Sequence, residues 1–363
     1  MKSAYLIAGM RLSRLMNLFF KNGLSPYPKY LIRFLFLFQN GIWASIFHRK
    51  EKAIYGEKLK NHNLSDNPVI IVGHWRTGST FLHQLMALDP NLVTANVFQG
   101  SIPDSFLTSR KSYEPIMGRA LKGTRPMDQV KLGMDEPLED EYALFRLCGF
   151  SPLEKLVFPK TKEYFLMNFL PDFLPSGKKL DDWKEALKSF YKKLTIENNK
   201  VILIKNPFHS FRIKLLNEIF PNARYIHIIR HPYKVVPSTI RMWDIVGKQN
   251  AMNRKWAKPA IEDSSNLLNQ MMSRIEEDFK QLPENRKIEI RFEELEKNPV
   301  EQLKKIYEHL EIKYTEEFER QVKDFLISVK EYQKNKYILA DSEKKEINHI
   351  LENWMIKKNY PIE

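Results

Sequence analysis

Four short apolar runs, each followed by a stretch of helical periodicity, set the rhythm of this chain. Val69 to Gly73 (VIIVG) is apolar throughout, the pattern of a strand buried on both faces of a parallel sheet. After it, Phe81, Leu82, Leu85, Met86 and Leu88 share one face of a helix over Gly78 to Leu88. Val201 to Lys205 (VILIK) precedes a helical stretch marked by Phe211, Leu215, Leu216 and Ile219. Arg224 to Ile229 (RYIHII) leads into Val235, Val236, Ile240 and Trp243. Lys287 to Arg291 (KIEIR) leads into a helix from about Val300 to Leu310. Four such alternations predict an α/β fold, a three-layer αβα arrangement with a central parallel sheet. The tail, Ser342 to Ile356, has helical spacing with Ile347, Ile350, Leu351, Trp354 and Met355 on one face.

Two regions break the rhythm. Residues from about 99 to 193 mix prolines with aromatic patches and read as a large helical insertion that serves as acceptor pocket or lid. Residues 1–67 read as an N-terminal helical segment, with the polar run Gly56 to Asn67 as the linker into a main domain over 68–363. Within that segment, Tyr30 to Phe47 reads YLIRFLFLFQNGIWASIF, interrupted by Arg33, Gln39, Asn40 and Gly41. Its unbroken core, Phe34 to Phe38, is far shorter than the roughly 20 residues a spanning helix needs. Two readings stand: a helix packed on the domain, or an interfacial helix with Trp43 at headgroup level. The second makes 30–47 a peripheral membrane contact on the cytoplasmic face.

Charge narrows the chemistry. Lysine and arginine total 58 against 44 acidic residues, a formal charge of +14 in 363 residues, which suits anionic ligands or an anionic surface. The single cysteine, Cys148, excludes an intrachain disulfide and a cysteine-only metal site and fits a reducing, cytoplasmic setting. The basic residues Arg76, Lys205, Arg230, Lys234 and Arg241 sit at or near strand ends rather than along one helix face, which argues against nucleic acid.

Open α/β sheets bind ligands beyond the C-terminal ends of their strands. The first such place is Gly73 to Thr80, GHWRTGST. It keeps the glycine spacing of the phosphate-binding loop G-x-x-x-x-G-K-[ST], with Thr80 at the hydroxyl position that meets Mg²⁺. Ser79 stands where the lysine would be, and the positive charge has moved to Arg76. Such a loop can hold an oxyanion at a helix N-terminus but lacks the clamp for a triphosphate, so an ordinary ATPase or GTPase is disfavoured.

At this loop the chain resembles the PAPS-dependent sulfotransferases. The first signature is Arg76-Thr77-Gly78-Ser79-Thr80, which in the family binds the 5′-phosphosulfate of 3′-phosphoadenylyl sulfate (PAPS). The second is a strand ending in arginine with a serine eight residues on, here Arg230 and Ser238, which in the family bind the 3′-phosphate. The third is a strand ending in lysine before a turn, here Lys205. The resemblance covers roughly Pro68 to Pro299, including RFEELEKNP (Arg291 to Pro299), and is nearest the bacterial branch with a P-x-E-D-E segment, here Pro137 to Glu141. It implies a P-loop-like nucleotide-binding core in which Arg76, Thr77, Gly78, Ser79, Thr80, Phe81, Arg230 and Ser238 bind the nucleotide, with PAPS as co-substrate and no metal.

Elementary chemistry agrees. Sulfuryl transfer builds charge on the bridging and terminal oxygens, which Arg76 as a fork and Lys205 as a point charge are suited to stabilise. The acceptor proton needs a base, and Glu139, Glu141 and His209 are the candidates. Asp135, Glu136, Glu139, Asp140 and Glu141 form a dense acidic cluster that equally suits a helix N-terminus with Pro137 at its first position. Two departures from the family stand out. Pro207 occupies the place where cytosolic members carry a catalytic histidine, and Asn96 to Gln99 holds no acid where other branches place a glutamate. His74, His83, His227 and His231 read as packed or capping residues. The aromatic insertion and the apolar N-terminal stretch point to a hydrophobic small-molecule hydroxyl acceptor such as a sterol, lipid or phenol. The competing functions are a P-loop kinase-like phosphotransferase using Arg76, and an inactive nucleotide- or membrane-binding relative.

Overall fold

The continuous apolar runs fold as strands: β1 (Val69–Val72), β2 (Leu92–Val93), β3 (Val201–Lys205), β4 (Arg224–Ile229) and β5 (Lys287–Arg291). The computed structural model describes residues 6–23, 30–121, 123–124, 133–159, 173–252, 256–330 and 337–363. Parts of the expected insertion, 125–132 and 160–172, therefore lie outside the described residues. The strands form one parallel sheet in the order β2-β3-β1-β4-β5, with Val69 opposite both Leu203 and Arg224. The two-residue edge strand β2 was not anticipated, because two residues carry no periodicity.

The chain sorts into two compact units. One comprises Met1–Leu64, Ala95–Asn199 and Asp244–Ala257; the other comprises Ser65–Thr94, Lys200–Trp243 and Lys258–Glu363 and holds the sheet. In the sheet unit, Val69, Ile71, Leu203, Ile226, Ile228 and Ile290 alternate onto one face. There they bury Leu82, Leu85 and Met86 of the helix Ser79–Met86, and Leu303, Ile306 and Tyr307 of the helix Pro299–His309. Each such side chain removed from water contributes about 1.5–3 kcal/mol. On the opposite face, Tyr225 and His227 meet Phe279, at 6.2 and 5.9 Å between ring centres. Phe279 ends the helix Ile261–Phe279, which packs against the helix Asp341–Lys357. Helices on both faces make the three layers that the alternation predicts.

The other unit is helical. Its longest element, Leu31–Asn61, spans 31 residues and lies against the helix Leu12–Asn22. Gly41 permits that approach, since a Cβ there would stand 3.1 Å from the Cα of Leu12. The Leu12 amide donates to Ser45 Oγ at 3.0 Å. Buried Asp104 pairs with Arg11 at 3.0 Å and Arg14 at 2.9 Å, and buried Glu51 pairs with Lys193 of the helix Lys178–Thr195. Ions taken out of water require such partners. No helix among the described residues is long and apolar enough to cross a membrane.

Two expectations need correction. The run Gly56 to Asn67 is not all linker: the long helix continues to Asn61. Glu57, Lys58, Leu59 and Lys60 are good helix formers, and a solvated helix end needs no apolar stripe. Nor does Pro137 open a helix. It forms an antiparallel bridge with Asn96, and the helix begins at Glu141. Glu139 therefore lies in the extended segment ahead of the first turn.

Candidate active site

The loop after β1 is built from backbone shapes that few residues accept. Gly73 has φ +140°, and a Cβ on it would lie 2.6 Å from the Ile228 carbonyl oxygen. Gly78 has φ +95°, and a Cβ there would run into the Phe292 ring. Between them Arg76 adopts φ +70°, a left-handed conformation that a side-chain-bearing residue takes only at a cost. The loop's own bonds hold this shape. Thr77 Oγ1 donates to the His74 carbonyl at 2.7 Å, and Thr239 Oγ1 donates to the Trp75 carbonyl at 3.4 Å. The Gly73 amide donates to Ser210 Oγ at 2.9 Å, and that hydroxyl returns a bond to the Gly73 carbonyl at 3.2 Å. Trp75 is wedged edge-on against Phe208 and Trp243, at 4.8 and 5.3 Å. The chain then enters the helix Ser79–Met86, whose first turn presents the N-terminal end of its dipole.

The two neighbouring strands, β3 and β4, bring their C-terminal ends to this loop. From β3, Lys205 is buried and its Nζ donates to Thr80 Oγ1 at 3.4 Å. The cation missing from position 79 is thus delivered to the next residue by another strand. Beyond β4, Arg230 reaches the Arg76 carbonyl at 3.3 Å. On the helix that follows, Ser238 Oγ accepts from Arg76 Nε at 2.8 Å. The first and second sequence signatures therefore meet in one hydrogen bond. Burial pulls Arg230 below its ordinary pKa, while Glu296 and Glu293 work the other way. Its guanidinium lies 4.3 Å from the centre of the Phe292 ring, a favourable cation–π distance. Phe81, the last of the expected nucleotide-binding residues, also meets Phe292, edge-on at 6.4 Å.

Ser210 and Phe292 were missed in the sequence. Phe292 could have been found: it directly follows β5, and site residues gather at strand ends. Ser210 carries no pattern, because its partner Gly73 is 137 positions away.

The histidines at these motifs are structural. His74 is fully buried and its Nδ1–H donates to the Trp75 carbonyl at 2.9 Å; burial lowers its pKa to about 4, so it is neutral at physiological pH. His83 bonds Thr94, and the His231 ring accepts from the Tyr233 amide as a cap. His227 Nδ1 lies 3.0 Å from Glu289 Oε2. His209, a candidate base, is fully buried in the 3₁₀ turn Pro207–Phe211, with Nδ1 3.5 Å from Arg212 Nη1.

In the helical unit the acidic cluster separates into distinct roles. Asp135 forms two 2.8 Å bonds to Arg110, and the arginine's bond holds its carboxyl below the usual range. Buried Asp140 accepts from Tyr191 at 2.7 Å. Glu141, also fully buried, accepts from Ser151 at 2.6 Å. Glu139 keeps part of its surface exposed. The segment without an acid, Asn96 to Gln99, is a capping box: Asn96 Oδ1 accepts from the Gln99 amide and Gln99 Oε1 accepts from the Asn96 amide.

The chain is similar to known proteins. Residues 68–316, more than half of the chain, match the family described as the sulfotransferase family. The chain is 28% identical over 300 residues to the omega-hydroxy-beta-dihydromenaquinone-9 sulfotransferase Stf3 of Mycobacterium bovis, covering 83% of this chain and 75% of that one. The same protein from Mycobacterium tuberculosis aligns to the same extent. Among solved structures, sulfotransferase STF9 from Mycobacterium avium superposes with a TM-score of 0.64 at 18% identity, covering 88% of this chain and 84% of its own. Sulfotransferase STF1 from Mycobacterium tuberculosis gives 0.57 at 14% identity, covering 93% and 91%. At those identities the likeness is one of fold.

Proposed function

Because the chain belongs to the sulfotransferase family, we propose that it moves the sulfuryl group of PAPS onto a hydroxyl of an apolar small molecule. The observation that carries this reading is the gathering of Arg76, Lys205, Arg230 and Ser238 around the loop after β1. In the reaction, the bond from sulfur to the bridging phosphate oxygen breaks and a bond from sulfur to the acceptor oxygen forms. The acceptor proton passes to a base, and 3′-phosphoadenosine 5′-phosphate (PAP) and a sulfate ester leave. Lys205 neutralises the bridging oxygen as it becomes anionic, where a positive charge lowers the barrier most. The loop 73–80 and the N-terminus of the helix Ser79–Met86 hold the phosphosulfate, and Arg230 with Ser238 holds the 3′-phosphate. Arg76 couples the two ends. Thr80 favours sulfuryl over phosphoryl transfer, since an ammonium already sits at the hydroxyl that would otherwise meet Mg²⁺.

A base has to touch the hydroxyl it deprotonates. Glu141 and His209 have no exposed surface, whereas Glu139 retains some, which supports Glu139 as the base. For the acceptor, the mycobacterial relatives are named for a hydroxylated dihydromenaquinone. A hydroxyl on an apolar body is the acceptor class carried over to this chain.

Turnover with PAPS against long-chain alcohols, sterols, phenols and sugars, read by mass spectrometry, tests the reading. The expected result is a sulfated apolar alcohol, with Lys205→Ala lowering kcat far more than it weakens PAP binding. Binding of Mg–ATP in calorimetry with no binding of PAP would overturn it.

A further inference from the structure

The helix Leu31–Asn61 has two apolar faces. Leu37, Gly41 and Ala44 are buried, with Gly41 set against Leu12. About a third of a helical turn around, Leu31, Leu35, Phe38, Ile42 and Ile46 form a second stripe at spacings of four, three, four and four, with Trp43 beside it. All six are exposed; Leu31, Leu35, Trp43 and Ile46 each keep about half of their surface in solvent. A face of that length is not left open on a soluble domain without a partner. After Ile46 the same face changes character: Arg49 and Lys60 lie on it, with Lys50 and Glu57 at its margin, all exposed. The face is thus apolar for four turns and carries basic residues beyond.

We propose that this face docks on an anionic lipid bilayer, lying in the interface with its apolar half among the acyl chains and its basic half at the headgroups. The charge pattern selects this occupant. Two copies packed in parallel through the stripe would set Arg49 and Lys50 against their own counterparts, whereas anionic headgroups neutralise them. Trp43 stands beside the stripe near its C-terminal end, and its amphipathic ring favours the bilayer boundary. The formal charge of +14 adds a long-range attraction to the same surface. Peripheral docking is the form available, since the described helices include none that could span. The proposal rests on the proposed function in one respect: an apolar acceptor alcohol dissolves in that bilayer, so docking brings enzyme and acceptor together.

Flotation of the full chain with vesicles of phosphatidylcholine and phosphatidylglycerol, and with phosphatidylcholine alone, tests it. The expected result is binding to the anionic vesicles at low salt that falls as the Debye length shrinks towards about 3 Å near 1 M salt. Leu35→Ser/Trp43→Ser/Ile46→Ser should lower that binding at least about tenfold. Arg49→Glu/Lys50→Glu should lower it and flatten its salt dependence. Melting by circular dichroism confirms that each variant is folded, independently of any nucleotide, and PAP affinity reports separately on the proposed function. Three results overturn the docking: a full chain that ignores anionic vesicles at low salt, a triple variant that binds as the parent does, or light scattering that shows a dimer dissolved by the triple variant.

Discussion

Arg76 Nε donates to Ser238 Oγ across 2.8 Å, joining the loop after β1 to the helix after β4. The bond spans 162 residues of sequence and links the two signatures that the family uses for opposite ends of its nucleotide. Ser238→Ala leaves Arg76 without this anchor and, on the proposed reading, removes a hydroxyl that would meet the 3′-phosphate. It should weaken PAP binding about tenfold, the size of one hydrogen bond to a charged group. Ser238→Thr keeps the hydroxyl and should recover most of the loss. Isothermal calorimetry on the pair decides, and equal affinities for Ser238→Ala and the parent would remove Ser238 from the site.

Arg230 and Phe292 act together. Arg230→Ala should cost on the order of 1.5–3 kcal/mol of PAP affinity and almost none for the nucleotide lacking the 3′-phosphate. Phe292→Ala leaves the guanidinium but takes away the ring 4.3 Å beneath it. Its loss should be smaller, about 0.5–2 kcal/mol, with the same selectivity for the 3′-phosphate. A Phe292→Ala variant that weakens both nucleotides equally would mean the ring serves the loop alone.

The carboxylates around Pro137 separate by role. Glu139→Gln should lower kcat by about 10²–10⁴ while leaving PAP affinity intact. Glu141→Gln should instead lower the melting temperature, because the Glu141 carboxylate accepts from Ser151 in a buried setting. His209→Ala belongs in the same comparison. Near-parental turnover by Glu139→Gln would place the base elsewhere.

His74 makes the loop sensitive to acid. Burial lowers its pKa from 6.5 to about 4, so between those values the unfolded chain binds a proton that the folded one refuses. This stabilising contribution is complete above about pH 6.5 and is lost as pH falls towards 4, on the order of 3 kcal/mol in all. His74→Asn keeps a side-chain donor near Nδ1 and does not titrate there. Urea unfolding at pH 7 and pH 4.5 should show a smaller drop for this variant than for the parent. Identical drops would locate the acid sensitivity at other groups.

Much of this molecule could be read before its fold was seen. β3 and β4 begin and end where their apolar runs do, because a strand buried on both faces gives a continuous apolar signal, and β5, a part-exposed edge strand, is marked instead by the alternation of Ile288 and Ile290 with polar residues. The positions of Arg76, Lys205 and Arg230 follow from the same rule, as strand ends of a parallel sheet face one edge. What escaped depended on long-range contact. The end of the long helix was hidden because its last turn is solvated and polar. The grouping of residues 1–64 with 95–199 leaves no local mark, since Glu51 and Lys193 show their pairing only once folded. The acidic cluster reads from sequence as one helix N-terminus or as the source of a base, yet Asp135, Asp140 and Glu141 each answer to a different partner.

The left-handed backbone at Arg76 sets stability against activity at a single residue. Any side chain at φ +70° costs roughly 1–2 kcal/mol that glycine would not. Arg76→Gly should therefore relax the backbone while deleting the bond to Ser238 and the charge proposed to couple the two ends of the nucleotide. A screen for thermostability would reward that substitution and a screen for sulfation would discard it. A library ranked by melting temperature alone would drift towards a sturdier, inert protein.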